Sequence, residues 1–215
     1  MNVYILKNEN SSKFLPFMSE QRLEKINGIK AEKVRAEKIC SYALLRYALF
    51  KEYGADESPL FNYGEREKPY LENYPEIFFN LSHADGWSAC VVSDEEIGVD
   101  IQDVRPMRDN VVRKICTEQE FMLISDGSNS TSLETTCSLW CMKESYGKLT
   151  GKGFAEGFDK IETSELLRSG KLKIMTLQNG MFLSVCSYDT ITGIEPVILT
   201  ADDVYRVLSK LLKSN

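Results

Sequence analysis

Trp140, Glu144 and Lys148 stand at i, i+4 and i+8 in the stretch LWCMKESYGKLTGKGF (139–154), a spacing that stacks three side chains on one face of a helix. Lys143 lies one position round and points elsewhere. Glu144 and Lys148 read either as an exposed ion pair worth ~0.3–0.5 kcal/mol or as a carboxylate and an ammonium aimed at a ligand. A second polar pair lies in IGVDIQ (97–102). With Ile97, Val99 and Ile101 turned to the core, Asp100 and Gln102 share the other face of a strand. They are either a solvent-facing pair on a half-exposed strand or, converging with Glu144, a hard oxygen site of the kind Mg²⁺ prefers. Such an ion takes one or two carboxylates and fills its octahedron with waters and substrate phosphates. A phosphate substrate needs cations, and Lys30, Lys33, Arg35, Lys38, Arg46 and Lys68 are the candidates. Glu32 and Glu37 interleave with the first four, so a solvated charged face fits those residues equally. His83, the only histidine, follows Ser82 at the end of FFNLS. It is either structural or, beside phosphate, a hydrogen-bond donor to an oxygen.

These groups need elements to hold them. Lys30 to Tyr53 carries Val34, Tyr42, Leu45 and Leu49 at helical spacing, and Gly54 supplies the stop. MNVYILK opens the chain as a strand, and Ser19–Asn27 is a short helix. EIFFNLS (76–82) and WSACVVS (87–93) are strands around an Ala-Asp-Gly turn, and EIGVDIQ (96–102) is another strand. Thr117 with Glu120, and Thr131 with Glu134, have capping-box spacing. The second box opens a helix running to Thr150, inside which Gly147 costs ~1 kcal/mol relative to Ala. LKIMTLQNGMFLSVCSY (172–188) is a hairpin whose Asn179-Gly180 suits a type I′ turn. EPVIL (195–199) is a last strand and Ala201–Lys213 a last helix. The order predicts an α+β protein of two similar halves, residues 1–95 and 96–215.

Composition narrows the function. A net charge of −6 over 215 residues lacks the basic excess of a nucleic-acid binder. No run approaches the ~18 apolar residues of a membrane span, and the four-residue apolar run at the N-terminus is too short for a signal peptide. A soluble, cytoplasmic protein is expected. Six scattered cysteines without a C-x-x-C pair, and a single histidine, exclude the usual zinc spacing. Reduced, buried thiols are expected instead.

FFNLSHADGW, IGVDIQ and LWCMKESYGKLTGKGF together resemble the three signature blocks of the 4′-phosphopantetheinyl transferases, in the Sfp-type (surfactin-synthetase-activating) branch. That branch shows a Gly-x-Asp strand, then Trp-x-x-Lys-Glu-[Ser/Ala]-x-x-x-Lys. Here Gly98-Val99-Asp100 is followed by Trp140, Lys143-Glu144-Ser145 and Lys148, with Asp100 and Glu144 44 positions apart. The resemblance fades before Lys68 and after Phe154. It implies a pseudo-dimer of two α+β halves with the active site in the cleft between them, monomeric in solution. It implies transfer of the phosphopantetheine arm of coenzyme A to a serine of an apo acyl or peptidyl carrier protein, with release of 3′,5′-ADP. Carried over by position, Asp100 and Glu144 are ligands for Mg²⁺, with Mn²⁺ the alternative. Glu144 is also the general base, and Lys148 contacts phosphate and steadies Glu144. Ser82 and His83 meet the phosphates of coenzyme A, and Lys68 and Pro69 flank the nucleotide. Lys30 and Lys33 match positions that hold the 3′-phosphate, and Arg46 matches a recurrent arginine.

One departure stands out. Many relatives carry Glu two residues after the strand aspartate, where this chain has Gln102. An amide oxygen can ligate Mg²⁺ but brings no charge, and the adjacent Asp103 is expected on the opposite strand face. A weaker metal site follows. A non-catalytic homologue that binds coenzyme A is the alternative reading that Gln102 favours. Carrier proteins of this kind are usually acidic, so their docking needs a local basic surface. Val104–Lys114 offers Arg105, Arg108, Arg113 and Lys114, with Met107, Val111 and Val112 as apolar contacts.

Overall fold

β1 (Asn2–Lys7) is apolar and buried from Val3 to Leu6, as a strand covered on both faces must be. In the computed structural model, which describes residues 1–64, 68–125, 131–153 and 157–212, it lies at the middle of a four-stranded sheet ordered β4-β5-β1-β9. β4 (Phe78–Ala84) and β5 (Trp87–Ser93) form a hairpin, and β5 runs antiparallel to β1. β9 (Glu195–Leu199) pairs with β1 in parallel. Short α1 (Glu20–Asn27) is capped by Ser19, whose hydroxyl accepts from the Arg22 N–H. The long α2 (Glu32–Tyr53) ends where Gly54 takes φ 67°, a left-handed conformation glycine adopts without a Cβ penalty. α2 packs on this sheet through Tyr42, Leu45 and Leu49. β2 (Phe61–Tyr63) and β3 (Pro69–Leu71) make a small antiparallel hairpin beside it.

The chain divides into two compact units, 1–95 with 194–215, and 96–193. Residues 194–215 thus differ from the expected assignment to the second half. The parallel pairing of β9 with β1 draws them back, and α7 (Ala201–Leu211) buries Val204, Leu208 and Leu211 in the core that α2 shares. Thr200 and Asp203 close a capping box at its start. Lys213, the expected end of that helix, lies outside the described residues.

The second unit holds a three-stranded antiparallel sheet ordered β6-β8-β7, from β6 (Ile97–Gln102), β7 (Leu172–Thr176) and β8 (Phe182–Ser187). Around it stand α3 (Asp109–Ile115), α4 (Glu118–Ser125), α5 (Thr131–Thr150) and α6 (Thr163–Arg168). α5 lies along β6 and β8. Its close approach explains a motif glycine. A Cβ on Gly98 would stand 2.0 Å from the Ser145 carbonyl oxygen and 2.6 Å from the Leu149 nitrogen. Gly147, whose helix-propensity cost was expected, admits the Phe158 ring, 3.1 Å from where its Cβ would be. Both units mix helices with mainly antiparallel sheet, the α+β class.

Two turns depart from simple expectation. The β4–β5 loop is Asp85-Gly86, with both φ values positive (42° and 77°), as a type I′ turn requires. The β7–β8 loop is longer than the two residues expected. Gly180 N–H donates to Leu177 O and Leu177 N–H to Met181 O, and only Gly180 has positive φ. The Asn179-Gly180 pair therefore sits in a three-residue loop with glycine in the left-handed position. The six cysteines are buried thiols, and burial raises each of their pKa values. No helix among the described residues is long and apolar enough to cross a membrane.

Candidate active site

Every residue of β6 is buried, Asp100 and Gln102 included, at 5% and 4% exposure. The solvent-facing pair is therefore excluded. Strand alternation puts Asp100 and Gln102 on the face of Gly98, and that face is the one α5 covers. The Cys141 thiol of α5 donates to the Asp100 carbonyl, and the Ser145 hydroxyl meets that of Ser184, the β8 residue opposite Asp100.

Lys148 Nζ donates to Asp100 Oδ1 at 2.7 Å. This ion pair crosses from helix to strand, so Lys148 is engaged by a carboxylate outside its own helix. Glu144 is half-buried. Burial raises its pKa, the Asp100 carboxylate raises it further, and the Lys148 ammonium opposes both. Asp100 and Glu144, from different elements, are near enough to repel, and one ammonium serves the two. Gln102 Nε2 donates to the Asp103 carbonyl (3.0 Å) and to Asp103 Oδ1 (3.2 Å). Asp103 was expected on the opposite face. It follows the last residue of β6, where strand alternation no longer governs it, and it reaches back. By engaging the amide nitrogen it leaves Oε1 as the end of Gln102 suited to a cation. Two carboxylates and an amide oxygen make an all-oxygen set that fits Mg²⁺. No three His, Cys, Asp or Glu side chains gather at one point among the described residues.

Lys143 does point elsewhere, and its destination was not legible in the sequence. It is fully buried and donates to Glu120 Oε2, the Ile115 carbonyl and, at 2.8 Å, the Phe158 carbonyl. Glu120 is the partner of Thr117 in the expected capping box: Thr117 N–H donates to Glu120 Oε2 (2.9 Å) and Glu120 N–H to Thr117 Oγ1 (3.2 Å). Its other oxygen accepts from the Thr163 hydroxyl at 2.7 Å. One carboxylate thus caps α4, receives Lys143 and holds the start of α6. The second expected box rests on Thr131, whose side chain lies outside the described residues.

In the first unit, His83 Nδ1 lies 3.4 Å from Glu37 Oε2, and Glu37 is buried. Glu37 therefore does not belong to a solvated face. Ser82 and His83 alternate on β4, so Ser82 is buried while His83 is exposed. Lys30, Lys33 and Arg35 are exposed around the start of α2. Lys68 is half-buried, its carbonyl accepts from the Gly64 N–H, and Pro69 opens β3. Arg46 is not available to a phosphate: it is buried and donates to the Phe17 (2.8 Å) and Asp56 (3.2 Å) carbonyls. The sequence also gave no sign that Arg22 would stack on Tyr42 and Phe61, or Lys25 on Tyr63.

In Val104–Lys114 the four basic side chains are exposed, with Arg113 also over the Phe121 ring. Met107, Val111 and Val112, expected as outward contacts, are half-buried against the core of the second unit, because α3 turns its apolar face inward. Beside them is an open pocket of about 380 Å³ lined by Pro106, Met107, Val112, Arg113, Phe121 and Ile124, among others. Met122 and Leu123 of α4 are strongly exposed.

Residues 96–188, which hold β6, α5, Asp100 and Glu144, match the model of the 4′-phosphopantetheinyl transferase superfamily. The chain is 23% identical over 197 residues to the 4′-phosphopantetheinyl transferase Sfp of Bacillus subtilis (strain 168), covering 91% of this chain and 88% of the relative. A second Bacillus subtilis 4′-phosphopantetheinyl transferase is 31% identical over 119 residues, 55% of this chain and 53% of that protein. The gsp protein of Aneurinibacillus migulanus, named likewise, is 31% identical over 98 residues, 46% of this chain and 40% of its own. By matched segment and by relatives alike, this chain is similar to the 4′-phosphopantetheinyl transferases, Sfp among them.

Proposed function

We propose that the protein is an enzyme that transfers 4′-phosphopantetheine from coenzyme A to a serine hydroxyl of an apo acyl or peptidyl carrier protein. The serine oxygen forms a bond to the phosphorus of the phosphopantetheine arm. The bond from that phosphorus to the bridging oxygen breaks, and 3′,5′-ADP leaves with the electron pair. The observation that supports this most is the gathering of Asp100, Lys148 and Glu144 where α5 covers β6.

Glu144 accepts the serine proton. Burial and the neighbouring Asp100 keep its carboxylate more basic than an exposed one. Lys148 is held by Asp100 and brings an ammonium to the oxygens on which charge builds. Asp100, Glu144 and the Gln102 amide oxygen would hold Mg²⁺, with Mn²⁺ as the alternative. A metal there supplies charge neutralisation for the diphosphate. In the first unit, His83 and Ser82 serve the phosphates, Lys68 and Pro69 the nucleotide, and Lys30 and Lys33 the 3′-phosphate. The two units are read as the α+β halves of a monomeric, cytoplasmic pseudo-dimer. The carrier docks on the basic stretch Val104–Lys114.

Intact-mass measurement tests the reading. The protein is incubated with coenzyme A, Mg²⁺ and a panel of apo carriers, with Glu144→Ala as control. One carrier should gain the mass of a single phosphopantetheine with the wild type and not with the variant. Coenzyme A binding without mass gain on any carrier would instead support the non-catalytic homologue that Gln102 favours.

A further inference from the structure

Glu37 is a buried carboxylate in the first turns of α2, and the ion pair recorded for it is with His83 Nδ1, at 3.4 Å. Their side chains differ sharply in exposure, 9% for Glu37 against 39% for His83. The contact is one of a matched pair. Ser41, one turn further along α2 on the same face, meets Ser88 Oγ at 3.0 Å. Ser88 is the residue directly opposite His83 in the β4–β5 ladder, so both lie on one face of the sheet. Ser88 is held in turn by Asn8, 2.8 Å away. Two side chains of α2, four positions apart, therefore grip two cross-strand neighbours, and Ser41–Ser88 fixes the register at which Glu37 reaches the imidazole.

We propose that Glu37 is a positioning residue for His83. It engages Nδ1 and turns Nε2 outward as the ring atom that addresses a phosphate oxygen of coenzyme A. A ring nitrogen facing a carboxylate carries the proton, and the partner of one nitrogen decides the tautomer of the other. Neutral His83 is then Nδ1–H, against the ordinary preference of a free imidazole for Nε2–H. Protonated, the ring donates from both nitrogens with the buried carboxylate as its counter-charge. The inference rests on the proposed role of His83 at phosphate, but the tautomer can be read without that role.

Because the chain has a single histidine, ¹⁵N-histidine labelling of the full protein gives one imidazole signal set in a long-range ¹H–¹⁵N spectrum. Above the histidine titration, without ligand, the wild type and Glu37→Gln should show Nδ1–H, since the Gln amide oxygen accepts the same proton. Glu37→Ala should show Nε2–H. In steady-state kinetics Glu37→Ala should raise KM for coenzyme A about tenfold, the size of one lost hydrogen bond to a charged group, with kcat little changed. Glu37→Gln should restore most of it, and adding Glu37→Ala to His83→Ala should cost nothing more. An Nε2–H ring in the wild type, or the same tautomer in Glu37→Ala, overturns the proposal. So does a raised KM in His83→Ala with none in Glu37→Ala. An unchanged KM in His83→Ala refutes the phosphate role itself, whatever the tautomer.

Discussion

Lys143 and Glu120 form an ion pair sealed from solvent, and it sets the rotation of α5. The helix turns by about 100° per residue, so anchoring Lys143 toward α4 and the Phe158 carbonyl turns Glu144 to the β6 side. The Lys143 ammonium has three acceptors, and Glu120 has donors at both oxygens. Removing one partner leaves the other charge buried. Lys143→Ala or Glu120→Ala should each cost ~3–5 kcal/mol in urea unfolding. The double variant Lys143→Met/Glu120→Leu should lose less than the sum. Single losses below ~1 kcal/mol would show that the pair carries no such role.

The same pair sets an acid limit. Burial alone would raise the Glu120 carboxyl. Hydrogen bonds from Lys143, the Thr117 N–H and Thr163, with the Lys143 charge, outweigh it and hold the group below its ordinary 4.5. A depressed folded-state value gives stability that is complete above that ordinary value and is lost as pH falls through the lower one. Unfolding free energy should therefore drop below about pH 4.5, and Glu120→Gln should flatten that limb. Equal acid slopes in the two proteins would refute the assignment.

Gly98→Ala should push α5 off β6, since its Cβ meets backbone atoms at 2.0 and 2.6 Å. Overpacking of this kind costs ~1–3 kcal/mol or more. Transfer should fall more than tenfold even in folded protein, because Lys148 and Glu144 move away from Asp100. A folded variant with full activity would contradict the close approach.

Gln102→Glu adds a third carboxylate beside Asp100 and Glu144. In a Mg²⁺ titration of the transfer rate, the half-maximal concentration should drop severalfold, because added ligand charge tightens hard-cation sites. An unaltered midpoint would remove Gln102 from the metal's surroundings.

Arg108→Glu with Arg113→Glu reverses the charge of the proposed docking stretch. KM for an acidic carrier should rise, more steeply at low salt, and coenzyme A binding should stay as it was. Carrier kinetics indifferent to both changes would move docking to another surface.

Spacing and residue type determined much of this protein. The long α2 and its Gly54 stop, the strand around Asp100, the Thr117–Glu120 box and the helix bearing Glu144 follow from periodicities and caps that are local in sequence. Tertiary structure decided the partners. Lys148 chose Asp100, Lys143 was buried against Glu120, Arg46 was consumed by backbone carbonyls, and Glu37 was drawn to His83. It also returned β9 to β1. The physical reason is common to all of these. A charged residue's sequence neighbours say only which face of an element it occupies. Whether that face meets water, an opposite charge or a carbonyl depends on which distant segment packs on it, and burial then makes the pairing obligatory.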